Sequence, residues 1–262
     1  MKPARLAAIL LTVATVAFLL VPVALSILVG FETDASDGPL GGLTLRWFAQ
    51  VWSDDGATVG RSLTIAVVTT AVVALAGVPL AYVLATARRR WARVLEELVA
   101  VPIAVPGLAL ALALIEAYGG WGAFRGSSWF IVCGHVLFTL PFLTRSVLAA
   151  LASSDLETLE AAAAALGAGP AQRFRDVVLP LARPGLVTGA LMVFTLSIGE
   201  FNLTWMLHTP LTPTLPVGLA DAYASLRLEV ASAYTTLFFV IVVPVLLVLQ
   251  WIARRTQARG VV

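Results

Sequence analysis

One cysteine and two histidines are all that the chain offers toward thiol or imidazole chemistry. Cys133 alone cannot build a disulfide framework or a cysteine-based zinc site. His135 and His208 are too isolated to mark a metal centre, so neither metal nor cofactor is expected. Charge is scarce too: 12% of the residues are Asp, Glu, Lys or Arg, against about 25% in an ordinary soluble domain. Catalytic signatures are missing. The chain has no Walker phosphate loop, no Gly-x-Ser-x-Gly and no His-Glu-x-x-His, so an enzyme is not expected, and any ATP chemistry must reside in another chain. What fills the sequence is apolar: 60% of it is hydrophobic, more than a soluble core of this length can bury.

The apolar residues fall into six stretches long enough to cross a bilayer, at residues 6–28, 59–87, 98–118, 128–150, 186–207 and 231–251; a span needs roughly 20 residues. The reading is an all-α integral membrane protein with about six transmembrane helices and membrane lipid as its solvent. The first stretch follows Lys2 and Arg5 but lacks a small-x-small cleavage site, so it is an uncleaved span rather than a signal peptide. Residues 30–55 are polar, and Trp47, Phe48, Val51 and Trp52 within them fit a short amphipathic helix at the interface. The third stretch carries Pro102, Pro106 and Gly107. Proline inside a span frees carbonyls that need partners, which places this span inside the bundle.

Basic residues set the orientation. With the N-terminus in the cytoplasm, Lys2, Arg5, Arg88, Arg89, Arg90, Arg93, Arg173, Arg175, Arg183, Arg254, Arg255 and Arg259 lie inside, and only Arg46, Arg61, Arg125 and Arg227 lie outside. The arrangement is N-in and C-in. The arginine cluster after the second span reads as a topology anchor, and no nucleic-acid partner is expected. The domain division is residues 1–58, a transmembrane domain over 59–253, and a cytoplasmic tail over 254–262.

The chain is organised around the one long polar interruption of its second half, residues 154–185. Ser154 and Glu157 fit a capping box, Leu156, Leu159, Ala163 and Leu166 recur near helical spacing, and the alanines from Ala161 to Ala165 have high helix propensity. Gly167 stands where a helix-ending left-handed residue belongs. Gly169 and Pro170 open a second short helix over 171–178, which Pro180 and Pro184 then end. Two short helices joined at a glycine turn, covered in small side chains, suit docking into a partner's cleft.

Ionisable residues at membrane depth are costly. Glu116 and Arg145 lie near span ends and are expected to snorkel. Glu200, Asn202 and Thr204, close together in SIGEFNLTWMLHT, are the three candidates for lining a translocation path.

The loop resembles the EAA loop of permease subunits of bacterial ABC importers, on Gly167, Ala168, Pro170, Phe174, Val177, Leu179, Pro180, Leu181, Pro184, Gly185 and Leu186 in matching order. Counted back from Gly167, the motif's glutamate position holds Ala161, with Glu160 one residue early; Ala162 and Ala163 complete the Ala-Ala pair. The resemblance covers about residues 61–251, and the S-x-x-E-F-N-x-T wording is similar to the spermidine/putrescine subgroup and its ferric iron, thiamine and phosphonate relatives. It implies a cytoplasmic coupling loop between spans 4 and 5, docking ABC ATPase subunits through Glu157, Glu160, Ala161, Ala162, Ala163, Gly167, Ala168, Pro170, Phe174, Leu179 and Pro180. It further implies a second permease subunit, the same or different, and a periplasmic substrate-binding protein docking near Pro210, Pro213, Pro216, Asp221, Arg227 and Glu229. The expected role is the translocation pathway for a small solute, polyamine-like first, in the bacterial inner membrane. A gradient-driven secondary transporter is the alternative, and it would show internal repeats and paired mid-membrane charges. A membrane enzyme would need clustered His, Asp or Glu. Neither pattern is evident.

Overall fold

A computed structural model describes residues 3–87 and 90–258. Among the described residues twelve α-helices follow one another: α1 (Pro3–Val29), α2 (Arg46–Thr86), α3 (Arg90–Ala104), α4 (Gly107–Tyr118), α5 (Gly122–Arg125), α6 (Ser128–Ala152), α7 (Leu156–Ala165), α8 (Pro170–Arg173), α9 (Leu179–Ile198), α10 (Asn202–Leu207), α11 (Leu215–Ala224) and α12 (Leu228–Ala258). Apart from an isolated bridge between Glu32 and Leu43, no β-structure occurs among the described residues. Among those residues, five helices are long and apolar enough to cross a membrane, or six if the bent pair α3 and α4 forms one span. Lys2, Arg88, Arg89 and Arg259, used above for orientation, lie outside the described residues.

Three span boundaries differ from the sequence expectation. The third span is not a single kinked helix. It starts at Arg90 and breaks between Ala104 and Gly107, where α3 and α4 meet at 108°. Val105 precedes Pro106, and a residue before proline is pushed out of the α region. The second span is the C-terminal part of a helix that starts at Arg46, so the tryptophan-bearing interfacial segment is its first arm, joined across a kink at Asp55 (φ −133°, ψ 16°). The fifth span starts much earlier than 186 and stops at Ile198, short of residue 207.

That fifth span also overturns the expected end of the second loop helix. α8 opens at Pro170 as anticipated, but the helix passes through Pro180 and Pro184 without stopping. Between α8 and α9 lies a π-helical turn, Phe174–Val178, in which the Leu179 amide bonds back to the Phe174 carbonyl. A widened turn shifts the hydrogen-bond ladder by one residue. It does so just before Pro180, which then falls in the first turn of α9, where a missing amide is tolerated.

The chain divides into two compact units. In the unit formed by Met1–Val59 and Leu215–Val243, the loop after α1 is tied down by polar contacts: the Trp47 indole donates to the Glu32 carbonyl at 2.9 Å and the Ala35 amide to Glu229 at 2.9 Å. Tyr234, 1% exposed, donates its hydroxyl to Asp55 at 2.6 Å, beside the α2 kink.

In the unit formed by Gly60–Thr214 and Pro244–Val262, α6 is the spine. Its first half packs Phe130 and Ile131 with Leu110, Leu114, Leu203 and Leu207. Its second half packs Leu143, Val147 and Leu151 with Val73, Ala81, Val178 and Val193. Gly185 and Gly189 of α9 bring that helix hard against α6. A Cβ added at Gly185 would overlap the Ser146 carbonyl oxygen and lie 2.8 Å from Val147 Cα, and one at Gly189 would lie 2.9 Å from Leu143 Cα. This is a small-xxx-small contact, which lets helix backbones approach where lipid supplies no hydrophobic drive. Ser146 adds a hydroxyl bond to the Gly185 carbonyl at 2.9 Å.

Gly185→Ala therefore forces backbone apart and is expected to destabilise the chain by about 1–3 kcal/mol, the usual cost of overpacking. Gly60→Ala, with nothing within 4 Å of the added carbon, should leave the melting temperature in detergent level or slightly raised; equal melting of both variants would show that the contact carries no such constraint.

Candidate functional site

The loop after α6 is built as a rigid element. α7 ends in a Schellman motif: Gly167 takes φ +89°, its amide bonds to the Ala164 carbonyl at 3.0 Å, and the Ala168 amide bonds to the Ala163 carbonyl at 3.0 Å. The start of α7 differs from expectation. No side-chain cap forms at Asp155, and the Ser154 hydroxyl turns back to the Leu151 carbonyl at 2.7 Å, so the capping box is not made. Packing of Leu156 into the α6 core holds this end instead.

α7 has two faces. Leu156 and Glu160 are buried, four residues apart on the inner side, and Ala163 continues that side half-buried. Leu159 and Leu166 point outward, 44% and 90% exposed, with exposed Ala162 between them. The expected line of Leu156, Leu159, Ala163 and Leu166 is thus two lines rather than one. Glu157, Ala161, Gly167, Pro170 and Pro180 are exposed, while Ala168, Phe174 and Leu179 are half-buried. Glu160 accepts a hydrogen bond from the Tyr82 hydroxyl of α2 at 2.8 Å. A cleft of about 540 Å³ opens beside it, with Asp155, Glu157 and Arg173 among its lining.

At the other end of α6, the fifth span stops at Gly199 and restarts as α10. Glu200 makes the restart. One carboxylate oxygen accepts the Leu203 amide at 2.8 Å; the other accepts the Thr204 amide at 2.8 Å and the Thr204 hydroxyl at 2.7 Å. Arg125 closes the far end of the same short helix, donating to the Leu207 carbonyl at 2.6 Å and the Met206 carbonyl at 3.2 Å. An acid at the N-terminus and a guanidinium at the C-terminus both match the helix dipole.

Behind Glu200 lies a buried polar chain. His135 of α6 is 2% exposed, with Nδ1 2.7 Å from the Ser197 hydroxyl and Nε2 2.8 Å from the Thr204 hydroxyl. The Thr204 proton goes to Glu200, so His135 Nε2–H donates to Thr204, and with a neutral ring the Ser197 hydroxyl donates to Nδ1. Each donor in the chain then finds one acceptor. Of the three expected pathway residues, Glu200 and Thr204 come together in this network, whereas Asn202 is exposed and stands apart from it. Sequence reading treated His135 only as a possible metal ligand and missed its partners, because the helices that bring Ser197 and Thr204 to it are distant in the chain. Glu116 and Arg145 are both exposed.

The described residues thus form an all-helical unit with five or six helices able to cross a membrane and a structured loop between two of them. Residues 77–259 match the family described as binding-protein-dependent transport system inner membrane component. The chain belongs to that family, the permease subunits of ABC importers. It is 31% identical over 209 residues to the molybdenum transport system permease protein ModB of Mycobacterium tuberculosis, covering 74% of this chain and 77% of that one. It is 27% identical over 243 residues to the spermidine/putrescine transport system permease protein PotC of Escherichia coli K12, covering 91% and 90%. Among solved structures, an inward-facing MetNI methionine ABC transporter aligns with TM-score 0.63 at 20% identity, covering 77% of this chain and 94% of that one. A bacterial ABC transporter for alginate import aligns with TM-score 0.73 at 14% identity, covering 96% and 95%, and both likenesses speak to the fold. Family membership leaves the gradient-driven transporter without support.

Glu200→Ala removes the acceptor that starts α10 and is expected to cost about 1–2 kcal/mol, as loss of a helix cap does. Asn202→Ala, at an exposed position, should leave thermal stability in detergent within about 0.5 kcal/mol. Equal melting of the two variants would show that the carboxylate does not hold the break together.

Proposed function

We propose that this chain forms the translocation pathway of an ATP-driven importer in the bacterial inner membrane, with both termini and α7 on the cytoplasmic side. In this reading α7 and the turn after it dock an ABC ATPase subunit. A second permease subunit completes the pathway, and a periplasmic binding protein delivers the solute. ATP-driven closure of the ATPases draws the loops together and rocks the spans outward, and hydrolysis returns them.

The observation that carries this reading is the outward face of α7. Leu159 and Leu166 stay exposed on a helix that belongs to none of the candidate spans. Apolar side chains presented to water next to exposed alanines mark a protein interface, and the surrounding small residues allow a partner's backbone to come close. The partner we assign is the ATPase subunit, on the strength of the family.

For the solute, the near end-to-end match to PotC supports a polyamine-like cargo. The higher identity to ModB over a shorter stretch supports an oxyanion as the second reading. Glu200 is committed to the amides of α10, so it shapes the path together with Thr204, and exposed Asn202 is the member left to meet solute. Uptake of labelled spermidine against labelled molybdate by membranes holding the whole transporter separates the two.

Leu166→Asp tests the docking face. Leu166 is 90% exposed, so its replacement should leave the melting temperature nearly unchanged, as surface substitutions do. Co-purification of the ABC ATPase partner should fall roughly tenfold or more, the usual cost of an interface anchor. Undiminished co-purification would rule this face out.

A further inference from the structure

Glu160 stands one residue before the motif position that Ala161 fills, and one residue is ~100° around a helix. The consequence is visible in α7: Ala161 is exposed, while Glu160 is turned inward and only 8% exposed. Its carboxylate faces α2 rather than the exposed side of α7. It accepts the Tyr82 hydroxyl at 2.8 Å instead. The Tyr82 ring also meets Phe174 edge-on, with centroids 5.6 Å apart at 63°. Phe174 opens the π-helical turn near the start of the fifth span. One side chain of α2 therefore holds both halves of the loop, α7 through a hydrogen bond and the following turn through an aromatic contact. Arg173 lines the cleft beside Glu160, and its Nε is buried without a hydrogen-bond partner.

We propose that Tyr82 is a positioning residue for coupling: through Glu160 and Phe174 it clamps the loop to α2, so that displacement of α7 is delivered to α2 as well as to the fifth span. This rests on the importer reading above. In it, Glu160 is an internal strut and not an ionic contact to the ATPase. The two roles differ in what they need from residue 160. A strut needs an acceptor for the Tyr82 hydroxyl, which a glutamine amide oxygen also supplies. An ionic contact needs the charge.

The first measurement uses the chain alone in detergent, with a nitroxide on Ala164→Cys in a Cys133→Ser background. Tyr82→Phe and Glu160→Ala should each raise the label's mobility, and Glu160→Gln should leave it as in the parent. The second uses the chain purified with its ABC ATPase partner and the binding protein, in proteoliposomes. Tyr82→Phe and Glu160→Ala should keep the ATPase bound yet lower solute moved per ATP by roughly tenfold, the order set by losing a hydrogen bond to a charged group; Glu160→Gln should restore most of it. Unchanged label mobility in Tyr82→Phe overturns the clamp. So does a Glu160→Gln variant as defective as Glu160→Ala that releases the ATPase, since that pattern belongs to an ionic contact. If label mobility follows the expected order but the unmutated chain holds no ATPase, the importer reading fails, the clamp survives as a structural element, and its coupling role is overturned.

Discussion

The contact on which the rest of the fold depends is the close approach of α9 to α6 at Gly185 and Gly189. Inside a bilayer, burying a leucine against a neighbour gains little over leaving it in lipid, so helices associate through fit and through hydrogen bonds. Two glycines four residues apart give α9 a flat strip, and the backbone of α6 at Leu143, Ser146 and Val147 lies directly on it. Once α9 is pinned there, the loop before it and the break after it have fixed positions. The proline-bearing entrance of the fifth span can then stay helical, because packing holds what local preference would interrupt. Pro184 immediately precedes the first of those glycines.

The same spine explains how irregular backbone is tolerated on its other side. Open peptide groups are unaffordable in hydrocarbon unless protein satisfies them. The interruption at Gly199–Phe201 is met by Glu200 on the amides and Arg125 on the carbonyls of α10, while His135 joins α6 to both sides of the break through Ser197 and Thr204. Every one of these groups would be costly alone. The Ser197–His135–Thr204–Glu200 chain, whose hydroxyl and imidazole donors are paired, favours one arrangement of the break over its alternatives.

Much of this was legible in the sequence, and the limits have physical causes. Long apolar runs and the Schellman glycine at Gly167 depend on local composition and backbone geometry, so they could be read directly. The continuation of the helix through Pro180 and the break at Gly199 could not, because the ladder shift at Phe174–Val178 and the Glu200 cap depend on side chains and packing. The Gly185–x–x–x–Gly189 spacing was a readable signal for the central contact, and it passed unremarked beside the prolines. The faces of α7 were misjudged for a simpler reason. A helix covered in alanine has almost no amphipathic contrast, so only the structure separates Leu156 and Glu160 from Leu159 and Leu166.

That separation bears on how a membrane lever can work at all. A loop that transmits motion has to be soft toward nothing: it must present one face to the subunit that moves it and fasten the other to the spans that respond. In α7 the outward face is apolar and exposed, suited to a partner that excludes water. The inward face combines Leu156 in the α6 core with a carboxylate bonded to α2. A leucine fixes depth but slides; a hydrogen bond of 2.8 Å fixes direction. With the Schellman turn stiffening one end and a continuous helix from Pro170 to Ile198 leaving the other, a push on Leu159 and Leu166 has no slack segment in which to dissipate. The acidic side chain one residue before Ala161 accordingly lies on the inward face of α7, bonded to α2, and not on the exposed face that Ala161 occupies.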